Sequence, residues 1–148
     1  MVTLFLDCDD TLYSNEWQVA GRITAKIGEY CKDKLGLSDG KSYELYKAHG
    51  TCLRGLEKEG IEHDRADFLK TVHDIELADV IQPEPELAAL LQRIDPSKCS
   101  PWVYTASVEH HAQNCLNCLG ISDALPNRPI IDVAAVGFLT KYPSPNVL

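Results

Sequence analysis

The chain has 148 residues, of which 45% are hydrophobic and 24% are charged, and its formal net charge is −8. This length and composition are typical of one globular domain, or of one core that carries an insertion. The negative charge argues against a general nucleic-acid binder and against a protein that docks on an anionic membrane, but it leaves room for a small phosphorylated substrate if a metal supplies positive charge.

The chain begins with a short apolar run, Val2–Leu6. Three acids follow this run, at positions 7, 9 and 10. Such a run predicts a buried strand of a parallel sheet, and ligands bind beyond the carboxyl ends of such strands. The carboxylates of Asp7 and Asp9 would repel each other there unless a divalent cation offset the repulsion. Mg²⁺ prefers one or two carboxylates together with phosphate oxygens. The alternative is a strand that ends in a solvated acidic turn.

A long helical stretch comes next. The spacing of its apolar residues predicts helices over 16–35, 38–48, 53–59 and 64–75. Three or four consecutive helices are a poor match to an ordinary crossover between two parallel strands, which needs only one helix. We therefore expect this stretch to be an inserted helical cap.

The remainder of the chain alternates helices and strands after the proline cluster at 82–85. We predict a helix over 86–94, a strand over 101–105, a helix over 108–119 and a strand over 130–133. The whole pattern predicts an α/β fold with a Rossmann-like, parallel-sheet core, formed by residues 1–15 and 80–148, and a helical cap over 16–79.

The six cysteines follow no regular framework. Cys115 and Cys118 form a C-x-x-C pair, but nothing nearby completes a zinc site, so we expect small core residues; metal or redox use is the alternative. His110 and His111 are expected to be solvated. The opening apolar run is too short for a signal peptide, and no stretch is long enough to cross a bilayer. We expect reduced cysteines and a cytoplasmic location.

A second chemical signal lies at Thr105–Ser107, where the second predicted strand ends and a helix begins. The N-terminus of a helix offers unpaired N–H groups to an anion, and Thr105 adds a hydroxyl donor. Taken alone, this is an ordinary strand-to-helix cap. Together with Asp7 and Asp9 it favours a site that handles phosphate.

Three segments resemble the haloacid dehalogenase-like phosphohydrolases. Phe5–Ser14 resembles the first motif of this family, and Val103–Ala106 resembles the second, an apolar strand that ends in Thr or Ser. Lys141 falls where the lysine of the third motif is expected. The position of the helical insertion, directly after the first motif, is that of the family's cap.

The resemblance implies a two-step phosphoryl transfer. Asp7 would attack phosphorus and form an aspartyl-phosphate, while Asp9 would protonate the leaving alkoxide and then deprotonate the attacking water. Mg²⁺ would be bound by the Asp7 carboxylate and by Asp9 through its main-chain carbonyl. Thr105, the Ala106 N–H and Lys141 would hold the phosphate and neutralise its transition-state charge.

Segments of the core and of the cap point to a narrower group. The chain is similar to plant- and fungal-type pyrimidine 5′-nucleotidases in Asp9–Tyr13, Tyr46–Leu56, Val72–Asp74 and Cys115–Ile121. This likeness implies that the partner is a small phosphorylated metabolite, a pyrimidine nucleoside monophosphate. An acid at position 9 favours a phosphatase over a dehalogenase or a transport ATPase, and a phosphomutase remains an alternative.

The chain also departs from the family pattern. Ala106 stands where the second motif usually has Asn, and Tyr142 follows Lys141 where the subfamily commonly has proline. No strand that carries the acids of the fourth motif follows Leu148, so we expect a core truncated at its C-terminus, with a sheet edge open to self-association. The alternative function is therefore a catalytically impaired, phosphatase-like protein with a binding or regulatory role.

Overall fold

The computed structural model describes residues 1–125 and 130–132. They form two compact units, one with residues 1–19 and the described residues from 76 onward, the other with residues 20–75. The predicted α/β class is confirmed, because the described residues form a parallel three-stranded sheet and six helices. None of these helices is long and apolar enough to span a membrane.

The sheet belongs to the first unit and consists of β1 (Val2–Leu6), β2 (Cys99–Tyr104) and β3 (Ile130–Ile131). All pairings are parallel, and the strand order is β1-β2-β3. The register places Leu6 opposite Val103, the second-last residue of β2. Because the strands are parallel and in this register, the residues that follow β1 and β2 leave the sheet at the same edge.

β1 is more exposed than its apolar sequence predicts. Val2 is 67% exposed and Phe5 is 57% exposed. Within the described residues β1 lies at the edge of the sheet and pairs on one side only, with β2. The Phe5 ring packs edge-on against Trp102 and Tyr104, with ring centroids 6.3 and 6.1 Å apart. The prediction of a buried strand is therefore wrong for this part of the chain.

Among the described residues, the first unit also contains two helices, α5 (Pro85–Gln92) and α6 (Glu109–Leu119). Pro85 opens α5, where its missing N–H removes no helical hydrogen bond. Gly120 ends α6 with a φ of +70°, a left-handed conformation that glycine adopts without strain. The buried side of α6 includes Ala112, Cys115, Leu116 and Leu119, as the spacing predicts.

Four helices lie wholly or mainly in the second unit: α1 (Gln18–Asp33), α2 (Lys41–His49), α3 (Cys52–Lys58) and α4 (Arg65–Val72). α1 begins two residues later than predicted, because Glu16 and Trp17 have φ values of +56° and +63°. These values lie outside the right-handed helical region. The core of this unit contains Tyr30, Leu45, Leu53, Leu56, Phe68 and Val72.

Candidate functional site

The turn after β1 fixes the first carboxylate. The backbone N–H groups of Thr11 and Leu12 both donate to the Cys8 carbonyl, at 3.3 and 3.0 Å. Asp10 takes a φ of +52° in this turn, a conformation that Asp and Asn tolerate better than most residues. The Asp7 carboxylate accepts from the Cys8 N–H through Oδ1, at 2.9 Å, and from the Thr11 hydroxyl through Oδ2, at 3.1 Å. Asp7 is thus held at the end of the strand.

Asp9 is turned towards the interior of the first unit. Its Oδ1 accepts a hydrogen bond from the Tyr13 hydroxyl at 2.8 Å and another from His111 Nε2 at 2.8 Å. The side chain of Asp9 is 27% exposed. Burial raises the pKa of Asp9, but the hydrogen bond and charge of His111, with the hydrogen bond from Tyr13, outweigh it and hold this pKa below its ordinary value. Asp9 is therefore a carboxylate in the absence of substrate.

The sequence reasoning missed His111, which contacts the candidate site through Asp9. It is fully buried, so the prediction that it is solvated is wrong, whereas its neighbour His110 is exposed. Burial lowers the pKa of His111, but its contacts with Asp9 and Cys115 raise it to about 10. A signal was present in the sequence, because His111 precedes Cys115 by four residues and so shares the predicted apolar face of α6.

Two buried thiols lie beside this pair. Atoms of Cys8, Asp9 and Cys115 that could ligate a metal lie within 4.8 Å of one another. The hydrogen bond between the thiols raises the pKa of Cys8 and lowers that of Cys115. Cys115 is a core residue, as predicted, and Cys118 is half-buried. This sulfur-containing set does not suit Mg²⁺, which prefers oxygen ligands, so the oxygens of Asp7 fit that ion better.

The loop after β2 carries the second group of predicted residues. Thr105 is buried; its N–H donates to the Ile131 carbonyl at 2.9 Å, and its Oγ1 accepts from the Ser107 N–H at 3.1 Å. The hydroxyls of Thr105 and Ser107 are 2.8 Å apart. Ser107 also contributes to the lowered pKa of Asp9. Ala106, between the two hydroxyl residues, is exposed.

Most of the predicted site is therefore assembled at one edge of the sheet. Asp7 and Asp9 lie in one turn, and Thr105 and Ala106 lie in the neighbouring loop. Burial and the negative charges of Asp9 and Asp7 raise the pKa of Asp10, which follows them in the same turn. Lys141 lies outside the described residues, so its place in the site stays a prediction.

Comparison with known proteins finds similarity to a family and to a curated yeast protein. The sequence model of a family described as haloacid dehalogenase-like hydrolase matches residues 1–139. "Phosphate metabolism protein 8" of Saccharomyces cerevisiae (strain ATCC 204508 / S288c) is 28% identical over 128 residues, which cover 80% of this chain and 40% of that protein. The chain therefore spans about 40% of the length of this relative.

Proposed function

The chain belongs to the haloacid dehalogenase-like hydrolases, and on this premise we propose that it is a Mg²⁺-dependent phosphomonoester hydrolase that acts through an aspartyl-phosphate. The observation that carries the proposal is the placement of the Asp7–Asp9 turn and the Thr105–Ser107 loop at the carboxyl ends of two paired parallel strands. The similarity to a yeast protein named for phosphate metabolism agrees with it.

Asp7 is proposed as the nucleophile. Its two oxygens are oriented by the Cys8 N–H and the Thr11 hydroxyl, which limits the rotation of the carboxylate. In the first step, a bond forms between an Asp7 oxygen and phosphorus while the bond from phosphorus to the leaving oxygen breaks. In the second step, water attacks phosphorus and the Asp7 oxygen leaves, which regenerates the carboxylate.

Asp9 is proposed as the proton carrier. Asp9 is a carboxylate before the substrate binds, and the negative charge of a bound phosphate would raise its pKa so that it takes up a proton from solvent. It would give this proton to the leaving oxygen in the first step, take one from the attacking water in the second, and return it to solvent as phosphate leaves. Thr105 and the backbone N–H of Ala106, an exposed residue, would donate to phosphate oxygens, and Lys141 would neutralise transition-state charge. Among these four residues, only Lys141 lies outside the described part of the chain.

The Asp7 carboxylate and the Asp9 main-chain carbonyl would hold Mg²⁺. When bound, the ion supplies positive charge that offsets the repulsion between the Asp7 carboxylate and an anionic phosphate. Oxygen donors of this kind suit Mg²⁺. The crowded acids at positions 7, 9 and 10, one of which has a raised pKa, support the need for such a charge.

A pyrimidine nucleoside monophosphate is the proposed substrate. Support comes from the likeness of Tyr46–Leu56 to the pyrimidine 5′-nucleotidases. Within the second, helical unit (residues 20–75), the Tyr46 ring is 55% exposed and stacks on Tyr43, with ring centroids 6.3 Å apart. An exposed aromatic ring of this kind is suited to stacking on a base.

The test is Mg²⁺-dependent release of phosphate from UMP, CMP, AMP and a panel of sugar phosphates. We expect activity that EDTA removes, highest rates with UMP or CMP, and no turnover by Asp7→Asn. Asp10→Asn is the matched control, because it removes a neighbouring carboxylate and Asn tolerates the left-handed conformation of that position. Equal turnover by wild type and Asp7→Asn would refute the proposal.

A second candidate function is binding through the edge of β1. We propose it because Val2 and Phe5, on an edge strand of the described sheet, are largely exposed, and exposed apolar edges favour pairing with another strand. Sedimentation velocity over a range of concentrations tests it. Self-association that Val2→Lys abolishes would support the edge as an interface, and a monomer at all concentrations would exclude self-association there.

A further inference from the structure

The interior face of Asp9 is occupied by two hydrogen-bond donors that come from different parts of the chain. Tyr13 lies four residues after Asp9, and His111 lies 102 residues after it, on α6. Both donors are 2.8 Å from the same oxygen, Oδ1. Both side chains are buried. One end of the Asp9 carboxylate is thus anchored from two directions.

The two anchors together fix the orientation of the carboxyl group. A single hydrogen bond leaves a carboxylate free to swing about the axis of that bond, whereas donors from two segments restrain both side-chain dihedral angles. Any rotation of Asp9 away from this position would take the charged acceptor away from a buried hydroxyl and a buried imidazole N–H, which is unfavourable. The cluster therefore favours one orientation of Asp9.

The thiol of Cys115 lies beside both the imidazole and the carboxylate. Its Sγ is 3.5 Å from His111 Nε2 and 4.0 Å from Asp9 Oδ1. Cys115 follows His111 by one helical turn, so α6 presents both residues to Asp9. Because α6 begins just after the Thr105–Ser107 loop, the helix that follows the proposed phosphate loop also carries the anchor of the proton carrier.

We propose that His111 is a positioning residue that, with Tyr13, holds Asp9 in the orientation needed for proton transfer to the leaving oxygen. The inference rests on the proposed function, in which Asp9 gives a proton to the leaving oxygen as the bond from that oxygen to phosphorus breaks. His111 acts only through Asp9 and does not touch the substrate. The fully buried imidazole is then part of the catalytic arrangement as well as of the core.

If His111 had a purely structural role, its replacement would slow substrates with different leaving groups equally. Such substrates therefore distinguish a positioning role from a structural one. An alkyl phosphomonoester such as UMP releases a strongly basic alkoxide, which needs a proton in the transition state. p-Nitrophenyl phosphate releases a stable phenolate that needs little protonation. Misplacing the proton carrier should therefore slow the first substrate far more than the second, whereas a general disturbance of the site should slow both equally.

The experiment measures kcat and KM for UMP and p-nitrophenyl phosphate with wild type, His111→Leu, His111→Gln and Tyr13→Phe. We expect His111→Leu to lower kcat for UMP by about 100-fold, with a much smaller loss for p-nitrophenyl phosphate and little change in KM. His111→Gln, which keeps a neutral N–H donor of similar reach, should recover most of the loss. His110→Leu, an exposed neighbour on α6, is the matched control and should behave as wild type.

Each outcome has a defined meaning. No Mg²⁺-dependent turnover of either substrate by wild type would overturn the proposed function and this inference with it. Turnover by wild type, with equal losses for the two substrates in His111→Leu, His111→Gln and Tyr13→Phe, would overturn this inference alone. If circular dichroism shows that His111→Leu does not fold, the test rests on His111→Gln and Tyr13→Phe. A loss of activity in Tyr13→Phe that is larger for UMP than for p-nitrophenyl phosphate would support the positioning role. No such selective loss in either variant would refute the inference.

Discussion

Gly55 in α3 lies against the fully buried side chain of Leu45 in α2. A Cβ atom added at Gly55 would lie 2.6 Å from Leu45 Cβ and 3.1 Å from Leu45 Cα. Carbon atoms in contact are ordinarily about 3.5–4.0 Å apart, so Gly55→Ala would force the two helices apart. Leu45 is completely buried and cannot rotate out of the way.

Two opposing effects set the size of the change. Replacing an interior helical glycine with alanine stabilises the folded state by about 0.5–1 kcal/mol when there is room for the methyl group. Overpacking of a well-filled core is unfavourable by about 1–3 kcal/mol. Because the Cβ contact is far below the normal distance and involves backbone as well as side chain, we expect Gly55→Ala to lower the free energy of unfolding by about 1–2 kcal/mol.

Gly21→Ala is the matched control. Gly21 also lies inside a helix of the same unit, α1, but an added Cβ would meet nothing within 4 Å. We expect this change to raise the free energy of unfolding by about 0.5–1 kcal/mol. Urea unfolding followed by circular dichroism at 222 nm measures both variants, because both glycines lie in the helical unit. If Gly55→Ala were as stable as Gly21→Ala, the close contact between α2 and α3 would be refuted.

Two further predictions concern the first unit. Folding raises the pKa of His111 from 6.5 to about 10, so the stabilisation from its charged form is complete below pH 6.5 and is lost as the pH rises towards 10. His111→Gln removes this titration and should flatten the fall in the free energy of unfolding between pH 6.5 and 9. Parallel pH profiles of wild type and His111→Gln would contradict this prediction. Asp132 Oδ2 accepts a hydrogen bond from the Glu109 N–H at 2.9 Å, and the N-cap residue of α6 makes no side-chain hydrogen bond of its own. In urea unfolding, Asp132→Ala should therefore destabilise the protein by about 1 kcal/mol. Asp132→Asn should retain most of the stability, because an amide oxygen can accept the same hydrogen bond.

The helices were the most predictable part of the fold. Their apolar spacing depends on local geometry alone, so all six were expected in nearly the right places. The start of α1 was misplaced because Glu16 and Trp17 adopt positive φ values that no local preference for these residue types predicts. An open sheet edge was expected, but the exposure of the side chains of β1, such as Val2 and Phe5, was missed, since an apolar run shows that a strand could be buried but not which other segments cover it.

Some residues of the candidate site could likewise be predicted from the sequence, and others could not. Asp7, Asp9 and Thr105 could be named from the sequence, because acids or hydroxyl residues directly after strands are a local pattern. His111 could not be assigned with equal ease, since its importance depends on Asp9, a residue 102 positions away. A histidine on the apolar side of a helix is still a usable signal, because a buried imidazole needs a polar partner, and a nearby unexplained acid is the natural one to look for.

The packing of Gly55 against Leu45 also bears on the choice of substrate. Tyr46–Leu56 carries the likeness to pyrimidine 5′-nucleotidases, yet Leu53, Gly55 and Leu56 in this segment are buried in the helical unit. Their identities are explained by the close approach of α2 and α3, which any substrate would leave unchanged. Only the exposed positions of the segment, Tyr46 above all, can carry information about a base. The argument for a pyrimidine nucleotide therefore depends on a few exposed side chains rather than on the whole segment.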